Sequence, residues 1–346
     1  MKSLTQSLIV SLVILLVTLN ANAQLNANQV IQSNDQTDHF QYKDSSIYAR
    51  GLNITKNQLL VGNSDGSIYA IDLKLKKSHL VFKQNNINEI RDIETSGNNT
   101  ISMHSGKDGK LVLFNTDAET RILSLDIWKG VFLDGMDFFG NRGFMMGDPV
   151  NGVFKLFHTN DSGNSWQACK GTVSCVPGEA GFAASGTNVQ LLNDSTYLFV
   201  SGGLKSRFFK STDNGQQWTS TELPYVSGES TGAYSVHFIN ESIGVVVGGD
   251  YLAPESNNNT SFYTEDGGKT WLSTIRPVGG YRSCVLHHKG VYYACGRNGI
   301  DFSIDNGKHW SPLAKGSYFS LNATKNKLIA TTRQGSIQCF ELIKIQ

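Results

Sequence analysis

The sequence lacks the features of a disulfide-stabilised, nucleic-acid-binding or membrane-spanning protein. Its 346 residues include five cysteines and six prolines, with no Cys-x-x-Cys pair or other metal-ligand spacing. Five cysteines are few for a disulfide scaffold, and a formal net charge of +1 argues against nucleic-acid or anionic-membrane binding. Helical periodicity, a G-x-G-x-x-G fingerprint and haem or flavin signatures are also absent. We therefore expect no metal, cofactor or nucleic acid.

One apolar run occurs, and it lies at the N-terminus. Lys2 is followed by apolar residues 8–19 and then by the small-residue site Ala21-Asn22-Ala23, which is the order found in a secretory signal peptide. The run is too short to span a bilayer comfortably. We predict a signal peptide over residues 1–23 and a secreted or periplasmic mature protein without a membrane span.

The remaining chain divides into a short leader and one domain. Residues 24–36 are rich in Asn and Gln, which predicts a disordered leader. Residues 37–346 are expected to form a single domain, because a repeat array adds units without needing a second core. We expect this domain to be a monomer.

An eight-residue pattern, Ser/Thr-x-Asp-x-Gly-x-x-Trp, occurs four times. The copies are residues 159–166, 211–218, 264–271 and 303–310. Their aspartates can accept hydrogen bonds from downstream backbone N–H groups, and these are Asp161, Asp213, Asp266 and Asp305. Their glycines supply the positive φ that closes a hairpin, and these are Gly163, Gly215, Gly268 and Gly307. Their tryptophans begin the outgoing strand and bury a large aromatic surface, and these are Trp166, Trp218, Trp271 and Trp310.

The spacing of these turns predicts a repeat of four-stranded units. The four aspartates are 52, 53 and 39 residues apart (213 − 161, 266 − 213, 305 − 266), close to the length of a propeller blade. Apolar runs such as 245–247 lack polar alternation, as expected for strands buried on both faces. We count seven units, the last too short for a fourth strand. The sequence therefore predicts an all-β, seven-bladed β-propeller of four-stranded antiparallel blades, with six blades as the alternative, and residues 39–42 as the strand that closes the ring.

The repeated pattern resembles the Asp-box, or BNR repeat, of sialidase-like and other β-propellers. The resemblance implies a propeller and says little about activity, because the box lies at the outer strands, away from the central channel. We interpret the four aspartates as structural, since four equivalent turns on one rim would rarely converge on a ligand.

Candidate binding residues occur in stretches that depart from the repeat, where loops would surround the channel mouth. They are Asp148, Glu179, Ser185, Arg207, His237, Asp250, Tyr251, Arg282 and Arg297. In one interpretation the three arginines form buried ion pairs with Glu179 and Asp250. In the other, the same charges form a polar pocket for an anionic ligand or for a partner's carboxylate. His237, on an inner strand, is more often a core histidine.

The order of four motifs resembles one particular family. Residues 147–152 (GDPVNG), 178–187 (GEAGFAASGT), 246–251 (VVGGDY) and 280–283 (GYRS) follow each other between Asp-boxes. This arrangement, over residues 131–310, is similar to the photosystem II stability/assembly factor-like proteins and their non-photosynthetic bacterial relatives. The resemblance implies a lumenal or extracytoplasmic propeller that helps to assemble protein complexes without catalysis. A protein partner or another ligand, such as a glycan, would then bind at the channel mouth.

Two further possibilities remain open in the sequence. A sialidase-like hydrolase would need an arginine triad and a Tyr–Glu nucleophile, for which Arg207, Arg282, Arg297, Tyr234 and Glu179 are available, with Asp250 as acid/base. The Arg-Ile-Pro signature of sialidases is absent. Separately, Cys169 with Cys175 and Cys284 with Cys295 can form disulfides in an oxidising compartment, leaving Cys339 over.

Overall fold

The structure is a computed structural model that describes residues 30–31, 38–43, 46–55, 58–115 and 120–345. The signal-peptide prediction lies outside these residues. Two short strands precede the first blade, β1 (Val30–Ile31) and β2 (Asp38–Gln41). Blades 1 to 3 are then built from consecutive antiparallel strands, β3 (Ala49–Ile54), β4 (Leu59–Asn63), β5 (Ile68–Asp72), β6 (Lys77–Phe82), β7 (Ile90–Ser96), β8 (Asn99–His104), β9 (Lys110–Asn115), β10 (Thr120–Leu123), β11 (Leu133–Phe139), β12 (Arg142–Val150), β13 (Val153–Thr159) and β14 (Gln167–Ala168).

The second half of the ring adds two short strands to this plan. In chain order its strands are β15 (Glu179–Ala180), β16 (Val189–Leu191), β17 (Tyr197–Val200), β18 (Gly202–Gly203), β19 (Arg207–Ser211), β20 (Thr219–Glu222), β21 (Thr231–Phe238), β22 (Gly244–Asp250), β23 (Ser261–Thr264), β24 (Leu272–Ser273), β25 (Cys284–His288), β26 (Val291–Gly296), β27 (Gly299–Ser303), β28 (Ser311–Ala314), β29 (Leu321–Ala323), β30 (Lys327–Thr331), β31 (Ser336–Glu341) and β32 (Lys344–Ile345). Blade 4 is β16-β17-β19-β20, blade 5 is β21-β22-β23-β24 extended by β18 and β15, and blade 6 is β25-β26-β27-β28. The helix found in the described part of the chain is one 3-10 turn, Asp126–Trp128, and no helix there is long and apolar enough to cross a membrane.

The ring closes through the N-terminal strand, as the sequence predicts. Blade 7 has the order β29-β30-β31-β2, with Asp38 opposite Cys339 and Gln41 opposite Ser336. The outermost strand of the last blade therefore comes from the start of the domain. Within the predicted leader, 30–31 are described and pair with Lys344–Ile345. The architecture confirms the all-β, seven-bladed propeller.

The four Asp-box turns share one hydrogen-bond pattern. In the copy at 264–271, the Oγ1 of Thr264 accepts from the N–H of Gly268 at 2.9 Å, and Oδ1 of Asp266 accepts from the N–H of Thr270 at 3.0 Å. The equivalent pairs recur in the other three copies. All four box glycines have positive φ, between 74° and 87°, so the turn chemistry expected from the sequence is present four times.

Each box tryptophan joins its blade to the preceding one. Trp271 of blade 5 packs edge-on against Phe208 of blade 4, and Trp310 of blade 6 is buried with Val245 and Val247 of blade 5. Aromatic burial of this size is a major contribution to cohesion between sheets. The Asp-box is therefore an inter-blade joint as well as a turn.

Polar side chains on the innermost strands bridge neighbouring blades around the channel. Asp92 of β7 accepts from the N–H of Met136 at 2.9 Å, and Asp137 of β11 accepts from the N–H of Leu191 at 2.7 Å. Further round the ring, Gln190 bonds the backbone of Phe238, Ser235 bonds the N–H of Val285, and Asn322 bonds the carbonyl of Leu52. These hydrogen bonds satisfy backbone N–H and C=O groups on the innermost strand of each blade, which have no partner strand on the channel side.

Candidate functional site

Most of the predicted channel-mouth residues lie on one face of the ring. Inner strands of a propeller run in one direction, so their starts define an upper face and their ends a lower face. Second strands return to the upper face, which places Asp148 near the end of β12, Asp250 at the end of β22 and Arg297 in the turn after β26. Tyr251 lies beside them and is 39% exposed.

Glu179 and Arg207 form a buried, bidentate ion pair. Nε of Arg207 donates to Oε1 of Glu179 at 2.8 Å and Nη2 donates to Oε2 at 2.6 Å. The carboxylate also accepts from Ser201 Oγ at 2.5 Å and from the N–H of Val176 at 3.0 Å, and Glu179 is only 4% exposed. Arg207 additionally stacks over Phe209. The guanidinium group is therefore occupied by contacts within the protein and is not available to bind an anionic ligand.

Arg282 also forms a buried ion pair, and its partner is Asp301, not Asp250. Its Nη2 lies 2.5 Å from Oδ2 of Asp301, its Nε donates to the same oxygen at 2.7 Å, and the residue is 2% exposed. Asp250 instead accepts from Ser230 Oγ and from the N–H of Leu252. Sequence reasoning missed Asp301 because the β26–β27 register, which places it beside Arg282, was not predicted.

The remaining arginine of the proposed triad stays apart from the other two. Arg297 donates to the carbonyl of Tyr251 at 3.1 Å, while the hydroxyl of Tyr234 donates to the carbonyl of Ser230. A sialidase-like site needs three guanidinium groups on one carboxylate and a Tyr–Glu pair. The described contacts place these groups with separate partners.

Residues 182–187, here called the plug, fill the channel at the upper face. The plug lies between β15 and β16 and includes the small residues Ala183, Ala184 and Ser185. Arg50 donates to the carbonyl of Ala184 at 2.7 Å and Arg91 donates to that of Ala183.

The base of the plug is fixed by hydroxyl contacts and by the lack of a side chain at one residue. Ser185 Oγ donates to the carbonyl of Ser283, and Thr187 Oγ1 lies 2.6 Å from Ser235 Oγ. Gly186 packs against Asp92 where a Cβ would overlap the carboxyl group. Ser185 is therefore a channel residue, but its role is to hold the plug.

The two arginines that hold the plug share one acid. Arg50 Nε lies 2.8 Å from Oε1 of Glu89 and Arg91 Nη2 lies 2.9 Å from Oε2. Close by, Asp148 accepts from the N–H of Gly181 at 3.0 Å, and burial raises its pKa. Asp134 is 1% exposed, and burial raises its pKa well above the ordinary value. The upper channel is thus a charged, closed region.

Below the plug lies a channel cavity of about 270 Å³. Three carboxyl groups, of Asp92, Glu94 and Asp137, line it on blades 2 and 3. Three imidazoles, of His237, His287 and His288, line it on blades 5 and 6. His237 therefore belongs to this cavity and not to the upper mouth. The cavity extends to the lower ends of the inner strands at His288 and Ala323.

Burial dominates the electrostatics of this cavity. It raises the pKa of Asp92 to about 7 and of Asp137 to about 6, and it raises the pKa of Glu94 well above the ordinary value. It lowers the pKa of His237 to about 4, with a smaller effect from His287. Burial thus favours the neutral form of both the carboxyl groups and the imidazole.

Sequence reasoning missed the cavity carboxyls, although a signal for them exists. Asp137 lies in the largely apolar inner strand LDGMDFF at 133–139, and Asp92 and Glu94 lie on either side of Ile93 in the inner strand IRDIETS at 90–96. A charged residue in a strand expected to be buried on both faces indicates a channel position or a buried bridge. His287 and His288 give the same signal at the end of β25.

Exposed apolar side chains form a second feature of the upper face, here called the docking surface. It consists of Leu204, Val226, Tyr251 and Leu252, which are 50%, 58%, 39% and 69% exposed. Ser227 Oγ donates to the carbonyl of Leu204, and the N–H of Tyr251 donates to the carbonyl of Ser230. The loop at 224–230 therefore joins the two ends of the surface.

A pocket of about 500 Å³ adjoins the docking surface. Asp148, Pro149, Val176 and Pro177 are among the residues that line it. Gly178 also lines the pocket and accepts from the N–H of Leu204 at 2.9 Å. The docking surface and the pocket thus form one continuous region over blades 3 to 5.

The five cysteines are free thiols in the structure. Cys284 and Cys295 lie directly opposite each other on β25 and β26 and are fully buried. Cys169 contacts the box turn at Gly215, whereas the N–H of Cys175 donates to the carbonyl of Gly152. The Cys284–Cys295 disulfide stays a prediction that the strand register favours. Neither predicted bridge is formed here.

Comparison with solved structures identifies the fold. The WD40 β-propeller domain of Doa1 aligns with a TM-score of 0.63 at 9% identity, covering 88% of this chain and 97% of that one. Virginiamycin B lyase from Staphylococcus aureus aligns at 0.63 and 10% identity, covering 89% and 99%. A chain of the mitotic checkpoint complex aligns at 0.62 and 8% identity, covering 91% and 96%. At these identities the likeness concerns the fold alone.

No protein-family model matches the sequence, and no curated protein matches it.

Proposed function

We propose that this chain is a non-catalytic, extracytoplasmic binding module that docks a protein partner on its upper face. The observation that supports the proposal best is the docking surface of Leu204, Val226, Tyr251 and Leu252. Exposed apolar side chains that cluster on one face are typical of protein-interaction sites. The fold is one that commonly mediates protein binding, and one structural neighbour is a chain of the mitotic checkpoint complex.

The chemistry of the upper face favours a protein partner over an anionic glycan. Arg207 and Arg282 are neutralised in buried ion pairs, so neither presents a free guanidinium to a carboxylate. A rim that combines Tyr251 with leucine and valine side chains instead matches the apolar and aromatic core of a protein interface. The resemblance of residues 131–310 to assembly factors points to the same class of function, and the N-terminal signal pattern points to an extracytoplasmic location.

The test is affinity capture from an extracytoplasmic extract with a matched pair of variants. Leu204→Ser combined with Leu252→Ser removes two anchors of the docking surface without touching the core. Leu80→Ser combined with Leu272→Ser is the control, because these leucines are also exposed, at 50% and 47%, but lie on outer strands of blades 1 and 5. We expect one protein to be captured by the wild type and by the control and lost with the first pair.

Two outcomes contradict the proposal. If both variant pairs retain the captured protein, the docking surface is not the interface. If both lose it, binding depends on general surface hydrophobicity. Recovery of the protein from the cytoplasm with residues 1–23 still attached would refute the proposed location.

A further inference from the structure

The channel cavity is separate from the docking surface and has its own chemistry. It lies below the plug, whereas the docking surface lies above it. Glu94, Asp137 and His237 line the cavity, and each is half-buried and retains accessible surface. That surface therefore faces the cavity and is available to a molecule inside it.

Hydrogen bonding leaves part of this polar lining unused. The carboxyl group of Glu94 accepts from Nδ2 of Asn53 at 3.0 Å and from the N–H of Thr95, and neither partner is a cation. The ring of His237 contacts His287 and Tyr292, and neither ring nitrogen has a hydrogen-bond partner among the described residues. Of the polar atoms in this lining, Nε2 of His288 is buried and has no partner in the described chain. Buried polar groups without partners indicate a place for a ligand or ordered water.

The charge balance of the cavity determines the sign of that ligand. Three carboxyl groups line it, and the lining residues in the described part of the chain include no lysine or arginine. The arginines of the channel, Arg50 and Arg91, are paired with Glu89 and the plug carbonyls above. A cation entering the cavity would favour the ionised form of a carboxyl group beside it. Burial lowers the pKa of the three imidazoles in the lining, so an anion would meet no positive charge from them at neutral pH.

The geometry favours an organic cation over a metal ion. Within the described residues, no three His, Cys, Asp or Glu side chains converge closely enough to hold a metal. Much of the remaining lining is aliphatic, including Leu52, Met136, Val236, Val285 and Leu286. An alkyl chain would contact these side chains while its charged end reached the acids.

We propose that the channel cavity binds an alkylammonium group, with Glu94 and Asp137 as its carboxylate partners. The group can belong to a free alkyl amine or to the lysine side chain of a partner, since both present the same ammonium on an unbranched chain. The site does not depend on the docking surface, so either proposal can fail while the other stands.

The experiment is calorimetric titration of the full chain with n-butylamine and, separately, with 1-butanol, which has the same shape without the charge. We expect the amine to bind at least tenfold more tightly than the alcohol. A blocked tripeptide with a central lysine, compared with one carrying norleucine, tests the second source of the ammonium group. Binding of the amine alone identifies a small-molecule site, and binding of the lysine peptide identifies a site for a partner's side chain.

Two variants test whether Glu94 contacts the ammonium group. Glu94→Gln keeps the shape of the side chain and an acceptor for Asn53, and we expect it to weaken amine binding at least tenfold. Glu241→Gln, on the exposed rim of blade 5, is the control and should leave binding unchanged. Equal affinity for amine and alcohol, no binding of either ammonium probe, or full affinity in Glu94→Gln would each overturn the proposal. The comparison of amine with alcohol holds for the wild type whether or not the variant folds.

Discussion

The buried carboxyl groups of the channel make the stability of the fold depend on pH. Burial raises the pKa of Asp137 to about 6 from an ordinary value of 3.8, with hydrogen bonds from the N–H groups of Leu191 and Phe138 opposing the shift. Between these two values the folded state binds a proton that the unfolded state has released. Stability from this group is therefore lost as the pH rises from about 4 to about 6. Asp92, with a pKa of about 7, extends the same trend to higher pH.

We expect Asp137→Asn to flatten this part of the pH profile. The amide cannot ionise, and its oxygen still accepts from the N–H of Leu191. The measurement is the melting temperature at half-unit pH steps from about 4 to 8 for the wild type, Asp137→Asn and Asp194→Asn. Asp194 is exposed, so its variant should follow the wild type. An Asp137→Asn profile as steep as that of the wild type between pH 4 and 6 would contradict the prediction.

The glycine of the Asp-box turn at 264–271 is required for two reasons, its positive φ and its close approach to the preceding blade. Gly268 adopts a φ of +87°, and a Cβ there would overlap the ring of Phe208 on the preceding blade. We expect Gly268→Ala to reduce the free energy of unfolding by about 2–4 kcal/mol, because left-handed strain and overpacking add together. Chemical denaturation of the two proteins measures this difference.

Gly152 provides a control that separates the two effects. It has a φ of +78°, similar to that of Gly268, but no atom lies within 4 Å of where its Cβ would be. Gly152→Ala should therefore cost about 1 kcal/mol, the strain alone. If the two variants lose the same free energy, the close approach of Gly268 to Phe208 contributes nothing to stability, and the tryptophan alone joins this turn to the preceding blade.

Across the whole molecule, local patterns predicted the fold well and the site less well. The turn at 264–271 needs only residues within one hairpin, so its type and its repetition are readable in the sequence. Pairing of Arg207 with Glu179 was one of two interpretations, and the β15–β18 extension brings the two residues together. Asp92 and Asp137 are 45 residues apart in the chain (137 − 92), and the packing of blade 2 against blade 3 brings them to one cavity. Their convergence depends on inter-blade geometry that no local pattern contains.

Ring closure by β2 is the feature on which the whole molecule depends. Residues 38–41 supply the outer strand of blade 7, and Tyr42 is buried with core residues of blades 1 and 7, its hydroxyl 2.6 Å from Oδ1 of Asn63. Deleting residues 24–45 should lower the melting temperature sharply, because it leaves an open sheet edge and separates the first and last blades. Deleting residues 24–36 is the matched control, since it removes β1 but keeps β2, and should change the melt little. Calorimetry of the two truncated proteins measures the contribution of β2 to stability. Equal melting temperatures would contradict the prediction. They would mean that contacts between the inner strands of blades 1 and 7, such as that of Asn322 with Leu52, hold the ring closed without the N-terminal strand.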